Sequence, residues 1–176
     1  MAAEDAVPTR LLRWISAAEP DWDAVYAEQL PKVYNYFRYR FGNGADAEDL
    51  TARTFEKAWR ARARYRRDLG AFSTWLLTIA RNVATDHCRS KRPLVALDAA
   101  VMVTTAVTPE DAAVQRSDIA RLEQLLATLS ERERDLLSLK YGAGMNNRAI
   151  ARLTGLSESN VGTILHRAVQ ALRTAW

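Results

Sequence analysis

Hydrophobic residues recur every three or four positions in two blocks of this chain, which cover residues 22–92 and 118–176. That period matches one face of an α helix, so each block predicts a small bundle of helices. The stretch between them, 93–117, is low in charge, holds two prolines and shows no sustained period. The pattern therefore predicts an all-α protein of two small helical domains joined by a flexible linker, with residues 1–21 as an N-terminal extension. Such a linker permits both compact and extended arrangements of the domains.

The first predicted helix carries an apolar stripe that runs from Tyr26 through Val33 to Phe41. Pro31 lies inside it and is expected to bend or restart the helix, because proline removes one backbone hydrogen bond. Gly42 and Gly44 are expected to end the helix, since glycine is favoured just past a helix C-terminus.

The second predicted helix begins at Asp46, an N-cap candidate because Asp49 lies three residues further on, in the manner of a capping box. Asp49, Arg53 and Glu56 fall together on one polar side of this helix. Spacing alone leaves two interpretations open. The side is either a solvated face with ion pairs between successive turns, or a surface that docks a protein partner.

The third predicted helix runs from about Ser73 to about Arg92 and has a polar, basic face opposite its apolar stripe. This face combines cations for phosphates, the Asn82 amide for a base edge and Trp75 for stacking. The mixture suits single-stranded or melted nucleic acid better than an intact duplex. The preceding loop is basic and aromatic, which suits an unstacked base. The candidate residues are Tyr65, Arg66, Phe72, Trp75, Thr78, Arg81, Asn82, Thr85, Arg89 and Arg92.

The distribution of charge supports a polyanionic partner more than the net charge of +4 does. Residues 1–59 hold ten acidic and seven basic residues, whereas residues 60–92 hold nine basic residues against two acidic ones. Such a strip is the electrostatic footprint expected of a nucleic-acid-binding surface. A solvated helix face is the alternative explanation of a charge run.

The composition argues against several other classes of protein. Cys88 is the single cysteine, so an internal disulfide is excluded. Asp86, His87 and Cys88 are consecutive, and consecutive helical residues point in different directions, so they do not converge on a metal ion or a substrate. No apolar run approaches the ~20 residues of a membrane span. We therefore expect a cytoplasmic protein with no catalytic site, metal, cofactor or membrane insertion.

The second block predicts a helix-turn-helix. Ser130 and Glu133 form a capping box at the start of one helix. A short helix over 147–154 is then followed by Gly155 as the turn and by a final helix that Ser157 caps. This pattern is more typical of a helix-turn-helix than of an ordinary helical hairpin, and the N-terminal part of such a second helix meets base edges. The candidates for contact with duplex DNA are Arg148, Ser157, Ser159, Asn160, Thr163, His166 and Arg167.

Three segments together resemble the extracytoplasmic-function (ECF) group of the sigma-70 family of RNA polymerase sigma factors. The family's region 2.2 is similar to DAEDLTARTFEKAWRA, its regions 2.3 and 2.4 to FSTWLLTIARNVATDHCRSKR, and its region 4 to LSERERDLLSLKYGAGMNNRAIARLTGLSESNVGTILHRAVQALR. The segments occur in the family's order with only a short linker between them. The resemblance covers the chain from about residue 22.

The resemblance implies an alternative sigma factor that directs promoter-specific transcription initiation and is not an enzyme. It assigns 22–92 to core polymerase binding and to recognition and melting of the −10 element, and 118–176 to recognition of the −35 element as duplex. The implied partners are bacterial core RNA polymerase, promoter DNA and an anti-sigma factor. Region 2.2 is expected to contact the clamp helices of the polymerase's largest subunit through Asp46, Asp49, Leu50, Arg53 and Glu56.

Two positions of the final helix depart from the family pattern. Gly162 and Ile164 are uncharged where members often carry lysine or arginine, so the −35 contact is expected to be weaker or to depend more on DNA shape. Two other classes of function stay open as alternatives. One is a helix-turn-helix regulator that binds an operator without being a sigma subunit, and the other is a helical adaptor that binds protein only.

Overall fold

A computed structural model describes residues 22–42, 44–66, 68–91 and 121–176 of the protein. Within them the regular structure is helical, which confirms the all-α prediction. The N-terminal domain contains α1 (Trp22–Phe41), α2 (Ala45–Arg60), a short 3-10 turn (Arg62–Arg64) and α3 (Phe72–Lys91). The C-terminal domain contains α4 (121–128), α5 (Glu131–Leu137), a π-helical turn (Ser138–Gly142), α6 (Asn147–Thr154) and α7 (Glu158–Ala175). The predicted extension and linker lie outside the described residues.

The N-terminal domain packs α1, α2 and α3 around one core. Phe37 of α1, Leu50 of α2, and Leu76 and Val83 of α3 are fully or almost fully buried. Each such side chain contributes about 1.5–3 kcal/mol by leaving water. Their spacing is the helical period read from the sequence, so the core turns the opposite, polar faces of α2 and α3 outward.

The structure departs from the sequence predictions at the start of α2 and, in part, at Pro31, where a bend or a restart of the helix was expected. The α2 helix begins at Ala45 with Gly44 as its N-cap, and no side chain caps it; the Asp46 carboxylate instead lies 3.6 Å from the Nε2 atom of His87 on α3. The α1 helix neither restarts nor ends at Pro31 but continues through it. The buried residues on either side, Gln29 and Val33, hold it against the core, and this packing outweighs one lost backbone hydrogen bond.

The C-terminal domain has the capping pattern that the sequence predicts. The Ser130 hydroxyl accepts from the backbone N–H of Glu133, whose carboxylate accepts from the backbone N–H of Ser130. Ser157 caps α7, as predicted. Asn146, which was not predicted as a cap, accepts from the backbone N–H of Ala149 and caps α6. Between these helices Gly155 has a φ of 75°, the left-handed conformation that glycine adopts at least cost. These local interactions set the angle between α6 and α7, and with it the helix-turn-helix.

The two domains pack against each other. A Cβ atom placed on Gly142 of the π-helical turn would lie 2.7 Å from the Asn35 carbonyl oxygen of α1, so the two backbones approach more closely than any other residue type permits. Tyr36, one residue further along α1, donates a hydrogen bond to Asp135 of α5. The arrangement of the domains, which the linker left undetermined, is compact in this structure.

Candidate nucleic-acid and polymerase-binding surfaces

The polar face of α3 is exposed along most of its length. Thr78, Asn82, Thr85 and Arg89 are all exposed. The hydroxyls of Thr78 and Thr85 donate to backbone carbonyls one turn back, at 2.9 Å each. The Asn82 amide and the Arg89 guanidinium are therefore the groups on this face best suited to bind a base edge and a phosphate.

A cluster of aromatic rings lies at the N-terminal end of this face. The rings of Tyr65, Phe72 and Trp75 have centroids 5.1–5.3 Å apart. Trp22 joins them through Phe72 at 5.6 Å and contacts Trp59 at 5.3 Å. We call these five residues the aromatic cluster. Half-buried rings of this kind offer a surface on which unpaired bases can stack.

Sequence reasoning included three members of the aromatic cluster and missed Trp22 and Trp59 as members. A signal for both was present. Trp22 lies four residues before Tyr26 on the apolar stripe of α1, and Trp59 continues the apolar side of α2.

The loop between the 3-10 turn and α3 is held in shape by its own side chains. The Tyr65 hydroxyl donates to the Gly70 carbonyl at 3.3 Å. Arg66 donates two hydrogen bonds to Asp68, at 2.9 and 2.7 Å. This pairing lowers the pKa of Asp68 and raises that of Arg66. Both side chains are exposed, so Arg66 keeps access to solvent while part of its charge is balanced by Asp68.

Arg81 differs from the rest of the predicted α3 face because it points toward the C-terminal domain. Its Nε atom donates to Oδ2 of Asp135 at 2.9 Å, and its Nη1 atom donates to the carbonyl of Leu153 at 3.1 Å. In this compact arrangement the guanidinium is half-buried and donates two hydrogen bonds to the C-terminal domain. Arg92, the last member of the predicted set, lies outside the described residues.

Asp135 is the centre of a buried polar network that the sequence did not predict. Its Oδ1 atom accepts from the Tyr36 hydroxyl at 2.8 Å and also from Arg40. Burial and the neighbouring Asp135 carboxylate together raise the pKa of Tyr36 well above its usual value. Burial alone would lower the pKa of Arg40, but the nearby Tyr36 and Asp135 oxygens raise it. The spacing could have indicated that Asp135 is buried, because Leu139, one helical turn later, lies on the same buried face.

The polar face of α2 carries exposed ion pairs along the helix. Arg53 lies 3.7 Å from Asp49, and Arg60 lies 2.6 Å from Glu56. Leu50 is fully buried, so of the predicted polymerase contacts it can only position the helix. The exposed pairs fit both a solvated face and a docking surface.

The helix-turn-helix presents its predicted polar residues to solvent. Arg148, Ser159, Asn160, Thr163, His166 and Arg167 are exposed. Ser157 is exposed as well, but its hydroxyl accepts from the backbone N–H of Asn160 at 3.2 Å, so it orients the helix N-terminus. The Thr163 hydroxyl donates to the Ser159 carbonyl at 3.0 Å, which leaves its lone pairs and methyl group for a base.

Comparison with known proteins decides the family. Residues 25–93 match sigma-70 region 2, and residues 119–172 match sigma-70 region 4. The chain is 30% identical to the ECF RNA polymerase sigma factor BldN of Streptomyces coelicolor over 97% of this chain and 67% of that protein. It is 31% identical to the sigma factor CarQ of Myxococcus xanthus over 92% of each. The chain belongs to the ECF sigma-70 family of RNA polymerase sigma factors. As a member, it directs transcription initiation by RNA polymerase and is not an enzyme.

A solved structure supports the fold. The sigma factor RpoE of Bartonella quintana, solved in complex with the anti-sigma factor NepR, matches with a TM-score of 0.68 over 88% of this chain and 96% of that one. Their sequence identity is 19%, so this likeness concerns the fold alone.

Membrane-spanning helices and metal clusters are both absent from the described residues. No helix among them has both the length and the apolar content needed to cross a membrane. Within the same ranges, no group of three or more His, Cys, Asp or Glu side chains could hold a metal ion.

Proposed function

We propose that this sigma factor divides promoter recognition between two surfaces. The exposed face of α3, with the aromatic cluster beside it, holds the melted −10 strand, and the N-terminal half of α7 reads the −35 element as duplex. The observation that carries the proposal is the exposed Asn82 amide on the same side of α3 as Trp75, about two helical turns from half-buried rings that can stack on unpaired bases. The α6–α7 pair provides an independent surface, because the second helix of such a motif is of a size that the major groove admits.

The polar face of α2 is proposed to dock on the clamp helices of the polymerase's largest subunit. Its support is the exposed row formed by Asp46, Asp49, Arg53 and Glu56, on a helix that the buried Leu50 fixes to the core. Because the pairs on this face are exposed and weak, their carboxylates and guanidiniums can exchange partners at low cost. The protein is proposed to act in the cytoplasm, where the polymerase works.

An anti-sigma factor is proposed as the regulator of this chain. RpoE, whose fold it shares, was solved with the anti-sigma factor NepR. An inhibitor that covers both domains should compete with core polymerase for the chain, and a competition assay with labelled core measures this directly.

The test is run-off transcription with purified core polymerase on a promoter library. We expect promoter-specific transcripts, and a total absence of them with any compatible core would contradict the function. The outcome also separates the alternatives, because an operator-binding regulator or a protein-only adaptor would yield no polymerase-dependent transcript.

Asn82→Ala tests the −10 assignment. We expect promoter opening to fall roughly 10- to 100-fold while core binding is unchanged, since one amide-to-base contact contributes about 1–3 kcal/mol. Gln124→Ala, which removes an exposed amide from α4, is the matched control. Loss of core binding in Asn82→Ala would show that this face of α3 has been assigned wrongly.

Thr163→Ala tests the −35 assignment. The variant should weaken transcription a few-fold, and only on promoters whose −35 region is intact, because the loss is one polar contact of about 1 kcal/mol. Thr174→Ala is the control on the same helix, since its hydroxyl makes the same kind of bond, to Gln170, at 3.0 Å. An equal effect on templates with a scrambled −35 region would reject the assignment.

A further inference from the structure

Asp135 joins the two domains more tightly than an ordinary surface contact does. A single carboxylate of α5 accepts hydrogen bonds from Tyr36 and Arg40 of α1 and from Arg81 of α3. The Asp135 side chain is 8% exposed and that of Arg40 is 10% exposed. Removing a buried anion that pairs with two cations is strongly destabilising, because both cations are then left without a counter-charge.

The backbone contact at Gly142 supports the same closed arrangement independently. A Cβ atom on Gly142 would lie 2.7 Å from the carbonyl oxygen and 2.9 Å from the carbonyl carbon of Asn35. Both atoms belong to the backbone of α1 and cannot rotate away. Gly142 does not have a positive φ, so the glycine is needed for the approach of the domains and not for its own conformation.

The closed arrangement conflicts with promoter binding in two ways. First, Arg81 belongs to the α3 face proposed for the melted strand, yet its Nε and Nη1 atoms donate to Asp135 and the Leu153 carbonyl, which turns the guanidinium toward the C-terminal domain. Second, elements at −10 and −35 are separated by about 25 base pairs, which is roughly 85 Å of duplex at ~3.4 Å per base pair. Two touching domains, each roughly 25–30 Å across, cannot reach both elements. The chain from residue 91 to residue 121 can span at most roughly 100 Å, so opening is covalently possible.

We propose that Asp135 is an interdomain latch that keeps the free sigma factor closed and releases Arg81 when the domains separate on the polymerase and promoter. The proposal of a closed state depends only on the geometry, whereas the proposal that closure inhibits DNA binding depends on the proposed function of the α3 face. If the closed state holds 90–99% of the free protein, it reduces the apparent affinity of that face for single-stranded DNA about 10- to 100-fold.

The test uses the full chain without polymerase and two variants that act on different parts of the contact. Asp135→Asn removes the anion. Gly142→Ala forces the backbones apart without changing any charge, so a gain in DNA binding cannot come from a lost negative charge. Gly44→Ala is the control, because a Cβ there meets nothing within 4 Å. Circular dichroism checks that each variant keeps its helical content, and Gly142→Ala stands in if Asp135→Asn does not fold.

Small-angle X-ray scattering measures the closed state directly. We expect a compact wild-type protein, a larger radius of gyration by several ångströms in both latch variants, and no change in Gly44→Ala. If both variants stay as compact as the wild type, or if the wild type is already extended, the latch does not exist. That result would leave the Asn82 and Thr163 experiments on the polymerase unaffected.

Binding to a fluorescent single-stranded DNA of mixed sequence measures the inhibition. We expect both latch variants to bind about 10- to 100-fold more tightly than the wild type. Adding Arg81→Gln to Gly142→Ala should remove a large part of the gain. An opened Gly142→Ala protein that binds no better than the wild type would overturn the inhibitory role, even if promoter-specific transcription is normal.

Discussion

Glu133 and Asp135 show at the scale of the residue how position decides what a carboxylate does. They are two residues apart on α5. Glu133 lies in the first turn and completes a capping box with Ser130. Its partner is three residues away in the chain, so the contact can be predicted from the sequence. Asp135 lies on the buried side of the same helix and has its partners on two helices of the other domain. Local chemistry accounts for the first, and only packing accounts for the second.

The Glu133→Ala variant should be less stable than the wild type by about 1 kcal/mol at neutral pH, because it loses one half of the capping box. The hydrogen bonds from the side chain and backbone of Ser130 lower the pKa of Glu133. Its contribution is therefore present above the ordinary glutamate pKa of about 4.3 and is lost as the pH falls through the lower folded value. In urea unfolding, the difference in free energy of unfolding between the wild type and Glu133→Ala should accordingly become smaller in acid.

Glu131→Ala is the control for this experiment, since Glu131 is an exposed acid in the same first turn. It removes the same charge from the helix N-terminus and leaves the capping box in place. Equal destabilisation by the two variants at neutral pH would mean that the charge, and not the cap, stabilises α5.

At the scale of the element, the helix-turn-helix contains two glycines, and its backbone requires only one of them. Gly155 ends α6 in the left-handed conformation with a φ of 75°. Gly162 lies inside α7 without a positive φ, and a Cβ there would meet only the Asn147 Nδ2 atom, at an ordinary 3.7 Å. The turn therefore requires its glycine, whereas the recognition helix does not.

Replacement of the two glycines should change stability in opposite directions. Gly155→Ala should destabilise the protein by about 1–2 kcal/mol, because a Cβ atom strains the left-handed conformation. Gly162→Ala should be neutral or stabilise it by up to about 1 kcal/mol, since alanine has the higher helix propensity. Thermal unfolding of the full chain measures both. A loss of stability in Gly162→Ala as large as in Gly155→Ala would contradict this account of the turn.

At the scale of the whole molecule, the contact between the domains buries side chains that the small core of each domain would leave exposed. A domain of about 60 residues buries only about 60% of the surface that its unfolded chain exposes, so each has a modest core of its own. Tyr36 is fully buried, and its hydroxyl reaches across to Asp135. The interface is thus part of the folded molecule and not an incidental touch between two independent units.

Alkaline pH should weaken this folded state through Tyr36. Burial, and then the facing Asp135 carboxylate, raise its pKa above the ordinary value despite the opposing charges of Arg40 and Arg81. The stability that depends on the protonated hydroxyl is complete below about pH 10, the unfolded value, and is lost as the pH rises toward the folded one. In denaturant unfolding above pH 10, the wild type should lose up to about 1.4 kcal/mol per pH unit more than Tyr36→Phe.

Tyr141→Phe controls for tyrosine content, because Tyr141 is 53% exposed. It should keep the steeper alkaline dependence of the wild type. If Tyr36→Phe and the wild type lose stability in parallel above pH 10, then ionisation of Tyr36 does not open the interface.

The sequence by itself determined the helices and the polar faces that they present. Helical period, capping residues and glycines act within a few positions of one another, so the α6–turn–α7 unit and the exposed face around Asn82 could be predicted. The prediction at Asp46 was wrong because it used only the spacing of two residues. The spacing of Asp46 and Asp49 matches a capping box, but α2 begins one residue earlier, at Ala45, and no side chain caps it.

Only the tertiary structure decided which faces meet. Tyr36 and Asp135 are 99 residues apart in the chain, and no period or motif links positions so distant. Arg81 has the spacing of a solvent-facing cation, but a second domain covers it. Leu50 was expected among the polymerase contacts because of the family resemblance, but the core buries it. Spacing determines the direction in which a side chain leaves its helix, whereas packing between distant segments determines what that side chain meets.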